Sequence, residues 1–531
     1  MPQGTLSPHL TSPTALQDQR DQGIADSILN GHYALVLSGY KNGAPIVMAG
    51  SFVADGAGHL TSGVLDVNDG SGEMVSNHNV VPQTLTSGSV YSLTASRLGT
   101  MTLVTNLGTY KFKVVVSPNA CVPNSQFLST CGRLILSDSA NPHDYGSGII
   151  KVQDPQYFSV FTFFPGSFAL AVTGTNPSGQ RYAAAGAMDT NPTTLVDIDC
   201  GTNWGIDGGC PLDVNNNGQA GANPFRGTFA GAIDHSTGRG GYVNLSFAND
   251  PGGYCRGVFG SPGCVYAFYV VDKQQMIIIS ADPVSKPANL ALWWAVRQSQ
   301  PPVGWTLAAV NAVSVMELTA LDPNGGNPVS DITAGLFTSD GLGNASFRSD
   351  ENHGGTLLQQ QFSQGTYNID SVGQKSGRVT LQGFNPQFGT TSAVIYLSAA
   401  NTGFVLGTDA KVTSGVMEPQ LGAPFTNASL LHTYVGGSVW PASTTVTNSA
   451  GTLFGDGAGN GSASQYYSGP DGPRGPILSI LTYQIDATGR GLVQQGDRLY
   501  GIAYVVSPTK FVLLPTTNAP ALGVFASAPS N

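Results

Sequence analysis

Three short signatures recur in one order, four times over, and that repetition limits the fold more than any other feature of the chain. The first is a strand-like run, a turn and a second run. It reads GSFVADGAGHLTSGVLD from Gly50, GLFTSDGLGNASFRSDEN from Gly335 and GTLFGDGAGNGSASQYY from Gly451, with a diverged copy, GAMDTNPTTLVDIDC, from Gly186. The second opens on an aromatic residue and returns after a polar, glycine-bearing turn. Its copies are GSVYSLTASRLGTMTLVT from Gly88, GTFAGAIDHSTGRGGYVNLSF from Gly227, GTYNIDSVGQKSGRVTLQGF from Gly365 and LTYQIDATGRGLVQQ from Leu481. The third is YKFKVVVS from Tyr110, VYAFYVVDKQQMIIIS from Val265, AVIYLSAANTGFVLGTD from Ala393 and LYGIAYVVSPTKFVLLPT from Leu499. Self-similarity of this kind marks one structural unit copied along the chain. The units fall at residues 31–157, 158–300, 301–420 and 421–531, and residues 1–30 form an N-terminal extension or linking segment.

The apolar period inside each unit is two. Runs such as Tyr110–Val116 alternate side chains between two faces, as half-buried strands do. In Asp55-Gly56-Ala57-Gly58 the aspartate can bond back to the turn backbone, and glycine accepts positive φ without a Cβ clash. Glycine, 69 of 531 residues, is thereby explained by hairpins. About eight short strands per unit, at roughly 8–12-residue spacing, suit an antiparallel all-β fold. The expectation is four tandem β modules, each a small meandering barrel, with a two-sheet sandwich as the runner-up. Short helices are expected only at Thr14–Asn30 and Asn289–Arg297.

Charge is scarce: 22 basic and 32 acidic residues, net −10, which argues against a nucleic-acid partner. No apolar run is long enough to span a membrane as a helix. The N-terminal stretch lacks a basic region followed by an apolar one, so export is inferred from the cysteines. These fall in three close pairs, Cys121 with Cys131, Cys200 with Cys210, and Cys255 with Cys264. Each pair closes a short loop, as loop-stapling disulfides of an oxidising compartment do.

No nucleophile elbow, phosphate loop or dinucleotide fingerprint occurs, and the histidines are scattered, so no catalytic residue is assigned and no enzyme activity is expected. One cofactor is suggested. Asp213, Asn215 and Asn217, followed by Gly218, match the opening of a calcium loop, although the twelfth position is Pro224 where a glutamate is expected. The same tract also reads as a plain Asn/Gly-rich loop. Asp55, Asp340 and Asp456 recur at one turn position, which hairpin chemistry explains. Tyr157, Phe158, Phe161, Phe163 and Phe164 cluster at one module boundary, and Trp293, Trp294 and Trp305 at the next. They are expected to glue neighbouring modules into a rigid rod; self-assembly and sugar binding are the alternatives.

The pattern NGHYALVLSGY, AGSFVADGAGHLTSGVLDVNDGSG and LGTYKFKVVVS resembles the tandem repeats of secreted or surface proteins of acidobacterial-type soil bacteria, most closely over residues 29–153. The resemblance implies an extracellular, repeat-built β protein and carries no active-site residue across. The expected function is therefore a non-enzymatic extracellular or cell-surface structural subunit. It would assemble with copies of itself, head to tail through the N-terminal segment. The alternative is an extracellular ligand- or carbohydrate-binding β-barrel protein, with a glycan as partner.

Overall fold

The structure is a computed structural model. It describes residues 25–527 except 72–74, 77–78, 118–130, 139–140, 142, 160–165, 192–196, 199, 201–208, 231–232, 249–263, 283–288, 302, 323–328, 385–391, 409 and 440–445. The chain is all-β, in four modules. Modules three and four are closed antiparallel barrels of eight strands in simple up-and-down order. In module three the last strand, Ser414–Pro419, pairs with the first, Val313–Asp322. In module four Gly523–Ala526 returns to Thr433–Ser438.

The first two modules are curled sheets rather than closed meanders. Module one has nine strands in its main sheet, whose two ends are tied by single bridges such as His59 to Val90. In module two Gly166–Thr175 pairs with both Arg181–Asn191 and Leu290–Arg297. The insertion supplies a hairpin, Leu212–Asn216 and Gln219–Ala222, that occupies the other edge of Arg181–Asn191. Among the described residues the two-residue strand Asp197–Ile198 and a single bridge from Cys210 to Phe225 carry the sheet onward from there, so the copied meander is interrupted. Neither closed module is a sandwich.

The helix expected at Asn289–Arg297 is a strand, Leu290–Arg297. It lies between Gln275–Ser280 and Gly166–Thr175, where both faces are covered. Burial on both faces gives a continuous apolar run that hides the period of two.

The turn chemistry follows the expectation. Asp55 Oδ1 accepts from the backbone N–H of Ala57 and His59. Asp340 and Asp456 do the same for Leu342 and Asn344, and for Ala458 and Asn460. Gly56, Gly341 and Gly457 each take φ of +74°, which a Cβ would oppose. Hydrogen bonding, led by the Asn460 side chain, holds the Asp456 carboxyl down at about 2.

Each module opens with a short turn of chain: residues 25–29, Pro155–Tyr157, Leu307–Ala309 and Asn427–Ser429. In modules one, three and four the aromatic residue of the second signature holds this turn. The hydroxyls of Tyr91, Tyr367 and Tyr483 donate to the carbonyls of Leu29, Val310 and Leu430 at 2.8, 2.7 and 2.9 Å. Residues 25–29 thus belong to module one, with Leu29 fully buried, and not to a separate linker. Residues 1–24 lie outside the described residues.

The modules do not form a rod. Module four packs back on module one, and Leu98, Val115 and Ile135 share an apolar cluster with Val435, Ala450 and Tyr466. Four modules therefore close a ring, with three junctions crossed by the chain and a fourth that is not.

Candidate functional site

The ring is held by one polar constellation used three times. In the first module Asp66 stands on the strand Leu60–Asn68 and faces module two. Arg239 grips it with two parallel bonds, Nε to Oδ2 at 2.7 Å and Nη2 to Oδ1 at 3.0 Å. Tyr269 donates to the same carboxylate at 2.6 Å. At the next junction Asp213 receives Arg378 at 2.6 and 2.9 Å and Tyr396 at 2.7 Å. At the third, Asp350 receives Arg490 at 2.6 and 2.9 Å and Tyr504 at 2.6 Å. The fork of a guanidinium matches a carboxylate in this bidentate way, which fixes angle as well as distance.

Two further residues repeat with each clasp. Two positions after the aspartate, Asn68, Asn215 and Asn352 donate to carbonyls of the following module, those of Ser280, Gly407 and Pro515. Past each module's last strand, Gln153, Gln298 and Gln420 each donate to two carbonyls on either side of the arginine–tyrosine pair. These carbonyls at the junctions thus gain side-chain donors from the neighbouring module. Burial, and then the adjacent carboxylate, raises the phenols of Tyr269, Tyr396 and Tyr504 well above their usual value, so they act as donors.

The fourth junction uses the same positions with other chemistry. Asp66, Asp213 and Asp350 each pair across the sheet with an alanine, Ala49, Ala185 and Ala334. The matching pair in module four is Ala450 with Tyr466. Each clasp arginine pairs with its tyrosine, and the matching pair in module one is Leu98 with Val115. An aromatic side chain on two aliphatic ones replaces the ionic clasp, and Ser468 Oγ, standing in for the asparagine, donates to Leu136 O at 2.6 Å.

No protein-family model matches the chain, and no curated protein matches it either.

The residues singled out from sequence are divided by this geometry. Asp213 and Asn215 belong to the second clasp, with their side chains turned to module three, while Asn217 sits at φ +49° in the hairpin turn. The tract that resembled a calcium loop therefore serves as an interlock, its carboxylate occupied by Arg378 and Tyr396. Among the described residues no group of three or more His, Cys, Asp or Glu side chains is gathered for a metal. Cys200 and Cys210 are joined in a disulfide. Cys131 and Cys264 are also disulfide-bonded, and Cys121 and Cys255 lie outside the described residues.

Of the boundary aromatics, Phe158 lies between His32 of module one and Gly238, where a Cβ would come within 2.4 Å of its ring. Trp294 carries the module-one cation Lys151 over its ring at 4.5 Å. These two join modules. Tyr157 packs at the edge of the large core. Trp293 turns inward among Phe225, Phe247 and Tyr266, and Trp305 is buried in the core of module three, so both fill modules instead of joining them. Phe161, Phe163 and Phe164 lie outside the described residues.

Barrel interiors are filled by side chains; the gap inside module three is about 30 Å³, room for about one water. A larger cavity, about 140 Å³, lies where all four modules meet. Arg133, Glu317 and Lys510 line it, with Trp294 and Phe404 among its apolar walls. Lys510 is paired with Glu418. Burial pushes Glu317 up to about 7 and Lys151 down to about 7.

A second buried charge cluster was not legible in the sequence. Lys411 sits 2.9 Å from Asp331 and 3.6 Å from Glu351, and His353 is 3.7 Å from Asp331. Burial and then Asp331 raise Glu351, and a hydrogen bond to Asp331 raises His353.

These shifts fix the sign of a pH dependence. Glu317 and Glu351 bind their protons more tightly folded than unfolded. The stability they contribute is complete below their ordinary value of 4.5 and is lost as pH rises through about 7 for Glu317 and about 8 for Glu351. His353 acts in the same direction. Lys151 acts oppositely, but only between about 7 and its ordinary 10.5. The thermal midpoint is therefore expected to be higher at pH 5 than at pH 7. Calorimetry at the two values checks it, and a midpoint that rises from pH 5 to 7 contradicts it.

Proposed function

We propose that this chain is a non-enzymatic structural protein of the extracellular space, a rigid ring that serves as a surface or fibre-forming subunit. The observation that carries this reading is the clasp. Six of the chain's charged residues, with three tyrosines, are committed to holding modules in register. A scaffold needs such fixed geometry, and nothing about the clasp offers a reacting group to solvent. The Cys200–Cys210 disulfide supports an oxidising compartment. No helix among the described residues is long and apolar enough to cross a membrane.

Self-association is supported by the outer face of module four. Ile480 pairs with Ser462, which pairs with Phe454, so two large apolar side chains share one row across three strands. Leu478 stands beside them, and Phe454, Leu478 and Ile480 are 45, 68 and 69% exposed. In module three the matching strand has Phe362 beneath the Arg348 guanidinium, a more polar surface. Exposed apolar clusters of this kind mark contact sites.

Light scattering and negative-stain microscopy over a range of concentrations test the proposal. The chain is expected to form assemblies that Leu478→Lys with Ile480→Lys dissolves, without change in its circular dichroism. Dissolution on removing residues 1–24 instead would assign the linkage to that segment. A monomer at every concentration would sink the structural reading.

A further inference from the structure

Besides Lys510, which is paired with Glu418, the central cavity holds two opposite charges that do not meet. Arg133 reaches it from module one and Glu317 from module three. Arg133 is 8% exposed, its Nε has no hydrogen-bond partner, and its one bond, Nη1 to Ser438 O, is long at 3.5 Å. Glu317 Oε2 is likewise buried without a partner. Arg133 feels the charge of Glu317, and Glu317 that of Lys510 first and of Arg133 after it, yet Arg133 and Glu317 form no ion pair. A buried cation and a buried anion left apart are costly, and packing could have brought them together or replaced both with apolar groups.

The walls between them are apolar. Ile149, Val172, Phe404 and Val405 come from three different modules. An apolar cavity of about 150 Å³ admits a benzene-sized guest, so this one, about 140 Å³, has room for about six to eight heavy atoms. A guest that satisfies both charges carries an anion for the guanidinium fork and a donor cation for the carboxylate. Its remaining atoms must be few and apolar.

We infer that the central cavity binds a small zwitterion, an α-amino acid with a short apolar side chain, its carboxylate on Arg133 and its ammonium on Glu317. Such a guest would tie module one to module three across the ring, a contact that the three clasps do not make. The inference does not depend on whether rings assemble further, because the cavity lies inside a single chain.

The test uses the full chain and titration calorimetry, with alanine, valine and proline as probes. Isobutyrate and isobutylamine serve as probes that keep one charge each. Saturable binding is expected for at least one amino acid, and binding roughly tenfold or more weaker for both single-charge probes. Glu317→Gln is expected to weaken the amino acid by a similar factor while leaving isobutyrate unchanged. Equal binding of the zwitterion and the single-charge probes overturns the inference, as does no heat with any amino acid. A high-resolution structure with only water bridging Arg133 and Glu317 in the presence of the probe also overturns it. Because the probe comparison is made on the unaltered chain, it remains decisive if the variant fails to fold.

Discussion

Asp350→Asn is expected to destabilise the junction of modules three and four by about 3–5 kcal/mol, the usual cost of removing one partner from a buried ion pair. The substitution keeps the size of the side chain, so the loss is electrostatic. The Arg490 guanidinium, 9% exposed, would keep its charge with no carboxylate to meet it. Tyr504, whose hydroxyl lies 2.6 Å from the carboxylate, would lose a charged acceptor. Replacing all three residues with apolar ones of similar volume is expected to restore much of the loss, because no buried charge is then left alone. The three clasps also predict a ranking. The arginine side chain is 9% exposed at Asp350, 10% at Asp66 and 21% at Asp213, so water screens the last one most. Asp213→Asn should therefore cost least. Urea unfolding followed by tryptophan fluorescence and hydrogen exchange would read the change. Fluorescence alone would not suffice, since four modules need not unfold in one step. A loss below about 1 kcal/mol for Asp350→Asn would place the clasp among surface ion pairs and remove it as the element that holds the ring.

What the sequence made legible was whatever depends on near neighbours. The turn at Asp55 closes on Ala57 and His59, so its residues lie within a single short word of sequence. The recurrence of that word in three modules, together with the two other signatures, revealed the four modules. Apart from Asp213, which stands on the insertion hairpin, the clasp residues lie in the same repeated words, in VLD and SDE, in TGR and SGR, in AFY and VIY. Their partners, however, are 140 to 203 residues away, so no local rule links them. The signal was present in what each copy lacks. Module four has no clasp aspartate, and module one has neither the arginine nor the tyrosine. A rod would show the same gaps at its two ends, but free ends would be polar. The replacements here are Tyr466, Leu98 and Val115, and it is their apolar character that points to a ring. The tryptophans misled for the opposite reason. In LALWWAVR adjacent aromatics face opposite sides of one strand, one into the module's own core and one to a neighbour, which reads as uniform hydrophobicity.

Tyr466→Ala should open the ring while leaving its modules folded. Removing a buried aromatic side chain from an apolar contact costs about 3–5 kcal/mol, and among the described residues this junction has no ion pair to fall back on. No peptide link crosses it, so the lost contacts are not held at high effective concentration by a short linker, as they are at the other three. Lys113, whose ammonium lies over the Tyr466 ring at 5.4 Å, would be released to solvent. The expected result is rapid amide exchange at the facing strands Gly132–Ser137 and Thr433–Ser438, with protection retained at the clasps around Arg239, Arg378 and Arg490. The particle should also grow in radius by small-angle scattering. A chemical converse is available. Tyr466→Asp with Leu98→Arg and Val115→Tyr writes the clasp into the fourth junction at the positions that match the other three. That triple variant is expected to keep the ring closed and the radius unchanged, whereas Tyr466→Asp with Leu98→Ala is expected to open it. If Tyr466→Ala leaves exchange and radius as they were, the contact of module four with module one is incidental, and the ring has no closing force of its own.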